Sequence, residues 1–135
     1  RFKQLQNQFD VRGVSIQSAK SNVTFSSREA YYIAAGFSRW LLSIREGPVG
    51  GALVVGYDSR LTSRALGDAA LRGMSSVLPP STACLDLGLC STPSVSHACQ
   101  AEGLSAAGGI MITASHLPSD RNGMKLFTPQ GGLTA

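Results

Sequence analysis

Thr113-Ala114-Ser115-His116 follows directly on the apolar run Gly108-Gly109-Ile110-Met111-Ile112, and Asn122-Gly123-Met124-Lys125 comes a few residues later. A hydroxyl, an imidazole and an ammonium are thereby delivered to the end of one strand and the loop beyond it. Small and hydroxylic residues fill a core poorly. They suit a loop that handles phosphate, because a phosphoryl group needs backbone N–H donors and cations around it. Read alone, Ser115 is a turn residue or a helix cap. Its neighbours point further: Gly108-Gly109 permits close backbone approach, and Pro118 and Gly123 shape a tight excursion. In such a loop Ser115 can carry a phosphoryl group.

A hydrolytic dyad of Ser115 and His116 is disfavoured. Adjacent residues of an extended loop point in different directions, and the nucleophile elbow G-x-S-x-G is absent. His116 is expected to touch a ligand or a phosphoserine from the side. His97, which lacks such company, reads as a surface or packing residue. Lys125 alternates with Met124 and Leu126 and so faces away from them. It is either a solvated strand residue or a group that looks into a cleft, donates to phosphate and moves protons. Arg12 and Arg60 also carry two readings. Each is a surface arginine, or a rigid fork at a strand end that grips carboxylate or phosphate. Asp58 and Arg60 can equally form a structural ion pair.

The elements that must hold these residues alternate. Val11–Ile16 reads as a first strand. Ser26-x-x-Glu29 is a capping box that opens a helix carrying Ile33, Phe37, Leu41 and Ile44, stopped at Gly47-Pro48. Ala52–Val55 is apolar without alternation, as in a strand buried on both faces. A helix over 63–78 follows, then a strand Ala83–Leu87. Thr92-Pro93 is read as a cap and first-turn proline of a helix ending at Gly103. Strands Ala107–Ile112 and Met124–Phe127 close the pattern. Strand, helix, strand, helix, strand with short links predicts right-handed crossovers and a three-layer α/β/α domain with a mostly parallel mixed sheet. Ligands bind at the carboxyl edge of such sheets, near a switch in strand order. Residues 56–60, the 88–92 loop and residues 113–116 are expected to converge there.

The chain has 135 residues, enough for one domain with a real core and no staples. It is light in charge, with 15% charged residues, which suggests that a domain or subunit covers part of its surface. The net charge is +4, but the twelve Lys and Arg are scattered and the aromatics do not interleave with them. Anionic small molecules fit this better than nucleic acid. Three cysteines without a CxxC pair argue against both a disulfide framework and a zinc site, and Cys84 and Cys99 read as small buried hydrophobes. No run approaches the ~20 apolar residues of a membrane helix. Starting at Arg1 and stopping at Ala135 without a terminal signature, the chain is expected to be a piece of something longer.

Phe9-Asp10-Val11-Arg12-Gly13, Gly56-Tyr57-Asp58-Ser59-Arg60 and Gly109–His116 running on to Asn122-Gly123-Met124-Lys125 resemble, in order, motifs of the α-D-phosphohexomutase family, the phosphoglucomutases and phosphomannomutases. Thr92-Pro93 also looks like the family's proline-bearing turn. The likeness covers nearly the whole chain and corresponds to the family's first domain. Leu5-Gln6-Asn7 and the TASHLP segment look most like plant and algal members, so cytoplasm and chloroplast stroma are both compatible locations. The resemblance implies that Ser115 carries the phosphoryl group, passes it to one sugar hydroxyl and takes back another after a bisphosphate intermediate has turned over. It implies acid–base and orienting roles for His116, Lys125 and Arg12, phosphate or substrate contacts for Arg60 and Asn122, and magnesium bridging the phosphoserine to three aspartates. A hexose bisphosphate would serve as activator, and the remaining domains of the enzyme would be the partners.

Two departures stand out. Leu117 replaces the usual Asn after Ser-His. The D-G-D-G-D metal loop is absent from this chain, which offers the phosphorylated Ser115, and at best Asp120, toward a metal. The isolated chain is therefore expected not to turn over. The rival reading is a truncated, non-catalytic module that binds phosphate ligands or a protein.

Overall fold

The computed structural model describes residues 2–44, 51–102, 104 and 106–133. A 3-10 turn at Phe2–Leu5 leads into strand β1 (Gln6–Asn7), which turns back into β2 (Asp10–Val14). Then come α1 (Ser27–Ile44), β3 (Ala52–Tyr57), α2 (Ser63–Ser75), β4 (Ala83–Leu89), α3 (Thr92–Gln100), β5 (Gly108–Ile112), β6 (Arg121–Thr128) and β7 (Gly131–Gly132). The sheet order is β1-β2-β6-β5-β3-β4, with β7 beside β6. The chain moves from β3 out to β4 and then back across to β5, so the order reverses at β3. The carboxyl ends of β3 and β5 flank that switch point, where the sequence places residues 56–60 and 113–116.

Only β4, β3 and β5 run parallel to one another. The pairs β5–β6, β2–β6, β1–β2 and β6–β7 are antiparallel. The parallel portion is thus smaller than the sequence pattern implied. The reason is chain length: the loop between β5 and β6 is too short for a helical crossover, so β6 must return antiparallel.

Helices cover both faces. Leu53 and Val55 of β3, Ile110 and Ile112 of β5, and Met124 of β6 pack with Phe37 and Leu41 of α1 and Leu66, Ala70 and Met74 of α2. On the other face Val54 and Met111 pack with Val95, Ala98 and Cys99 of α3. Strand alternation sends neighbouring residues into two separate cores, which is why β3 and β5 show no polar alternation. Cys99 is 4% exposed, and burial pushes its thiol up to about 11, so it behaves as a small apolar side chain.

Most boundaries fall near those read from sequence. The capping box forms: Glu29 Oε2 accepts from the Ser26 backbone N–H at 3.0 Å, and the Arg28 N–H donates to Ser26 Oγ at 3.3 Å. The second helix ends at Ser75 rather than 78, with Ser76 as its C-cap. Ser91, not Thr92, is the N-cap of α3, and Thr92 and Pro93 are already inside it. Ile16 lies beyond β2. The helix stops assigned to Gly47-Pro48 and Gly103 lie outside the described residues.

One buried polar hub ties β6 to the start of α2. Asn122 is fully buried, and its Nδ2 donates to Thr62 Oγ1 and Ser63 Oγ, both at 2.9 Å. Its Oδ1 accepts from the Gly123 N–H at 2.9 Å. Ser63 Oγ in turn donates to Asp58 Oδ1 at 2.5 Å. A satisfied network of this kind specifies one register, since any slip leaves buried groups unpaired.

The two helices on the first face meet at Gly73, where a Cβ would run into the backbone carbonyl of Tyr31. This gives a test by sign. Intrinsic helix propensity alone makes Gly→Ala stabilising by about 1 kcal/mol, whereas overpacking against unyielding backbone costs about 1–3 kcal/mol. Gly73→Ala is expected to lower the urea midpoint; a raised midpoint would show that α1 and α2 are not held at this distance.

Candidate active site

The chain leaves β5 at Ile112 and makes a sharp turn. Thr113 is buried, and its Oγ1 accepts from the Ser115 N–H at 2.9 Å, a local hydroxyl turn. Ser115 takes φ +56°, the left-handed region that costs a non-glycine residue about 1 kcal/mol or more. Its side chain is exposed, and among the described residues its hydroxyl makes no hydrogen bond. The serine is thus held in a strained backbone position with its oxygen free.

What holds the loop is Arg60. Its Nη2 donates to the carbonyls of Ser115 at 2.8 Å and Leu117 at 2.7 Å, and its Nη1 to those of Pro118 at 2.8 Å and Arg121 at 3.1 Å. Asp58 braces it, with Oδ2 3.5 Å from Arg60 Nε and Oδ1 accepting from the Arg60 N–H at 3.1 Å. The ion pair read from the sequence is present. Both ends of the fork are occupied by the loop. Asn122 is likewise engaged: it is buried and held by the hub.

Arg12, Asp10 and Lys125 share a second cluster. The register that pairs Val11 with Met124 and Arg12 with Gly123 brings Asp10 level with Lys125. A single oxygen, Asp10 Oδ2, accepts from Lys125 Nζ at 2.7 Å and from Arg12 Nη2 at 2.8 Å. Arg12 Nη1 donates to the Thr113 carbonyl. Glycine is required at 123, since a Cβ there would collide with the Val11 carbonyl and the Arg12 side chain. Burial pushes the Arg12 guanidinium below its ordinary pKa, against the opposing pull of Asp10. Lys125 pairs with Met111, on the sheet face that α3 covers farther along, so the cluster lies on the uncovered part of that face.

Arg12, Lys125, Asp10, His116 and Ser115 line one cleft of about 250 Å³, together with Gln8. Ser115 also borders a second depression of about 420 Å³ with Asp58, Arg60 and Ser119. Gln8 was not singled out from the sequence. It is the other non-glycine residue with positive φ among the described residues, at +55°, and such turn geometry has no composition signal at a glutamine. His97 is exposed on α3, away from this cleft. The 88–92 loop does not line either depression. It packs behind the end of β3, where the Cys90 N–H donates to the Tyr57 carbonyl at 3.0 Å.

Among the described residues, no three of His, Cys, Asp and Glu come together as a metal site. Asp10 and Asp58 are already paired with cations, and Asp120 lies 3.8 Å from Arg121 Nε. The described residues by themselves do not fit a magnesium ion, which prefers near-octahedral oxygen coordination. No helix among the described residues is long and apolar enough to cross a membrane.

The geometry agrees with comparisons to known proteins. Residues 3–135 match the family model described as phosphoglucomutase/phosphomannomutase, alpha/beta/alpha domain I. A protein named phosphohexose mutases from Xanthomonas campestris pv. campestris is 45% identical over 80 residues, 59% of this chain and 17% of its own length. A phosphoglucosamine mutase from Synechocystis sp. is 42% identical over 81 residues, 60% of this chain and 16% of its own. A phosphoglucomutase/phosphomannomutase from Thermococcus kodakarensis is 34% identical over 125 residues, 91% of this chain and 24% of its own. The chain therefore spans a quarter or less of the length of these relatives. They are bacterial and archaeal, so closeness to plant and algal members is not shown by them. A crystal structure of a phosphoglucomutase/phosphomannomutase family protein from Burkholderia thailandensis superposes on 95% of this chain and 26% of its own, with a TM-score of 0.73 and 25% identity. With its motifs, its fold and its matched span in agreement, the chain belongs to the phosphoglucomutase/phosphomannomutase family and carries that family's alpha/beta/alpha domain I.

Proposed function

We propose that this chain is the phosphoserine-bearing domain of a phosphohexomutase, which moves a phosphoryl group between the 1- and 6-positions of a hexose phosphate. The observation that carries the reading is Ser115: an unbonded hydroxyl, on a strained and clamped loop, facing a cleft that also presents Arg12, His116 and Lys125. A resting phosphoryl group on Ser115 would sit among cations.

In the first half-reaction the Ser115 Oγ–P bond breaks as a sugar oxygen bonds to phosphorus. The sugar hydroxyl gives up its proton to a base of the cleft, and the departing serine oxygen is protonated. The second half-reaction reverses this with the other phosphate of the bisphosphate, so Ser115 ends phosphorylated and no net proton is consumed. Arg12 and Lys125 orient the group and offset its charge, and positioning with charge stabilisation is most of what phosphoryl transfer requires. His116, exposed beside Ser115, and Lys125 are the proton-moving candidates. No step here uses magnesium; its aspartates, the sugar-recognising segments and a bisphosphate activator's site belong to the proposal only through the domains a longer protein would add. The relatives are named for hexose, glucose, mannose and glucosamine phosphates, so the domain is assigned to the class rather than to one sugar.

Peptide mass spectrometry on the full-length protein should find one phosphate on the 113–125 peptide; phosphate found only elsewhere would sink the assignment. Ser115→Ala should abolish turnover at a stability cost of at most ~1 kcal/mol, because its hydroxyl bonds to none of the described residues.

Lys125→Met keeps the aliphatic stem and removes the charge. It should lower kcat by roughly 10²-fold or more. Unchanged turnover with a lowered melting temperature would make Lys125 merely a structural partner of Asp10.

The 135-residue chain alone should fold, by circular dichroism, yet leave glucose 1-phosphate unchanged in the presence of Mg²⁺ and a bisphosphate. Sustained Mg²⁺-dependent turnover by the pure chain would contradict the metal argument.

A further inference from the structure

We infer that Arg60 is the positioning residue of the Ser115 loop: it shapes the loop from behind and does not itself bind phosphate. The inference rests on the phosphoserine reading above and deepens it. Four carbonyls, from Ser115, Leu117, Pro118 and Arg121, converge on its two terminal nitrogens, and together they span the loop from the serine to the first residue of β6. An arginine that left to meet a ligand would take a donor from each of the four, and the Pro118 carbonyl would keep only the Arg121 N–H at 3.0 Å. A simple surface ion pair does not describe it either. The Asp58 contact is the longer one, at 3.5 Å, and Asp58 Oδ1 is occupied by Ser63 Oγ and the Arg60 N–H. Asp58 orients the fork, and the fork orients the loop.

The planar shape matters. A guanidinium presents paired N–H groups in fixed directions, whereas a lysine ammonium radiates three donors from one atom and cannot span carbonyls on both sides. The consequence falls on Ser115. Its φ of +56° is held between the Thr113 hydroxyl, which takes its N–H, and Arg60, which takes its carbonyl. Without Arg60, the residue is free to relax to negative φ, and its hydroxyl swings out of line with the cations of the cleft.

The test uses the full-length protein with Arg60→Lys and Arg60→Gln. Hydrogen exchange of the 115–121 amides should speed up while the rest of the domain exchanges as before. kcat should fall about 10²-fold, the cost of a ~1 Å misplacement of a reacting group, with KM changed little. A KM that rises while kcat and loop exchange hold steady would make Arg60 a phosphate ligand and overturn the inference. Unchanged exchange and unchanged kinetics would overturn it too. If wild-type Ser115 carries no phosphate, the phosphoserine reading falls by itself. The role of Arg60 is then decided by loop exchange alone: faster exchange confined to 115–121 supports it, and unchanged exchange ends it.

Discussion

A loop that turns its hydroxyl toward a cleft must turn its carbonyls somewhere else, and here they meet one guanidinium. The rest of the site depends on this. Arg60 comes from the turn after β3, and the loop it holds comes from the end of β5, so the bonds between them cross the switch point of the sheet. The parallel pairing of β3 with β5 sets the two strand ends side by side. The hub of Asn122, Thr62 and Ser63 anchors the far side of the loop to α2. Each piece is ordinary by itself. Together they hold a serine in a conformation it would not choose.

The antiparallel half of the sheet has the opposite task. It supplies charge, and it does so by register. Asp10, Arg12 and Lys125 meet because β2 pairs with β6 at Val11 and Met124, and a slip of β2 by one residue would turn Asp10 and Arg12 to the face opposite Lys125. Gly123 leaves the space in which Arg12 lies. The parallel half therefore fixes backbone and the antiparallel half fixes charge, and the Ser115 loop joins the two.

Much of this was legible in the residues. The apolar run at 52–55 marks a strand buried on both faces, and it is; the run at 107–112 marks a strand, and β5 forms there. Ser26 and Glu29 announce a helix start that forms as read. Ser115, His116, Lys125 and Arg12 do share a cleft. What the residues did not reveal was where polar side chains spend their donors. Arg60 and Asn122 carry the right chemistry for phosphate, but the carbonyls and hydroxyls that claim them come from segments 55 to 61 positions away in sequence. Such pairings follow from topology, and the topology also differed from the reading: the strand–helix alternation suggested more parallel pairing than the short β5–β6 loop permits. The 88–92 loop was likewise placed at the right edge but on the wrong side of the end of β3.

The sharing of Asp10 has a consequence for how this cleft would treat an anion. Two cations and one carboxylate leave a single net positive charge where two would otherwise stand. A phosphomonoester carries about −1.5 to −2 at neutral pH, enough to reverse the local sign rather than merely cancel it. An arriving phosphate must also compete with Asp10 for the same N–H donors, so it exchanges one partner for another instead of meeting bare charge. The carboxylate thereby sets a ceiling on ground-state affinity. On the phosphoserine reading, a moderate grip would keep the ester mobile, and a pair of unopposed cations would trap it.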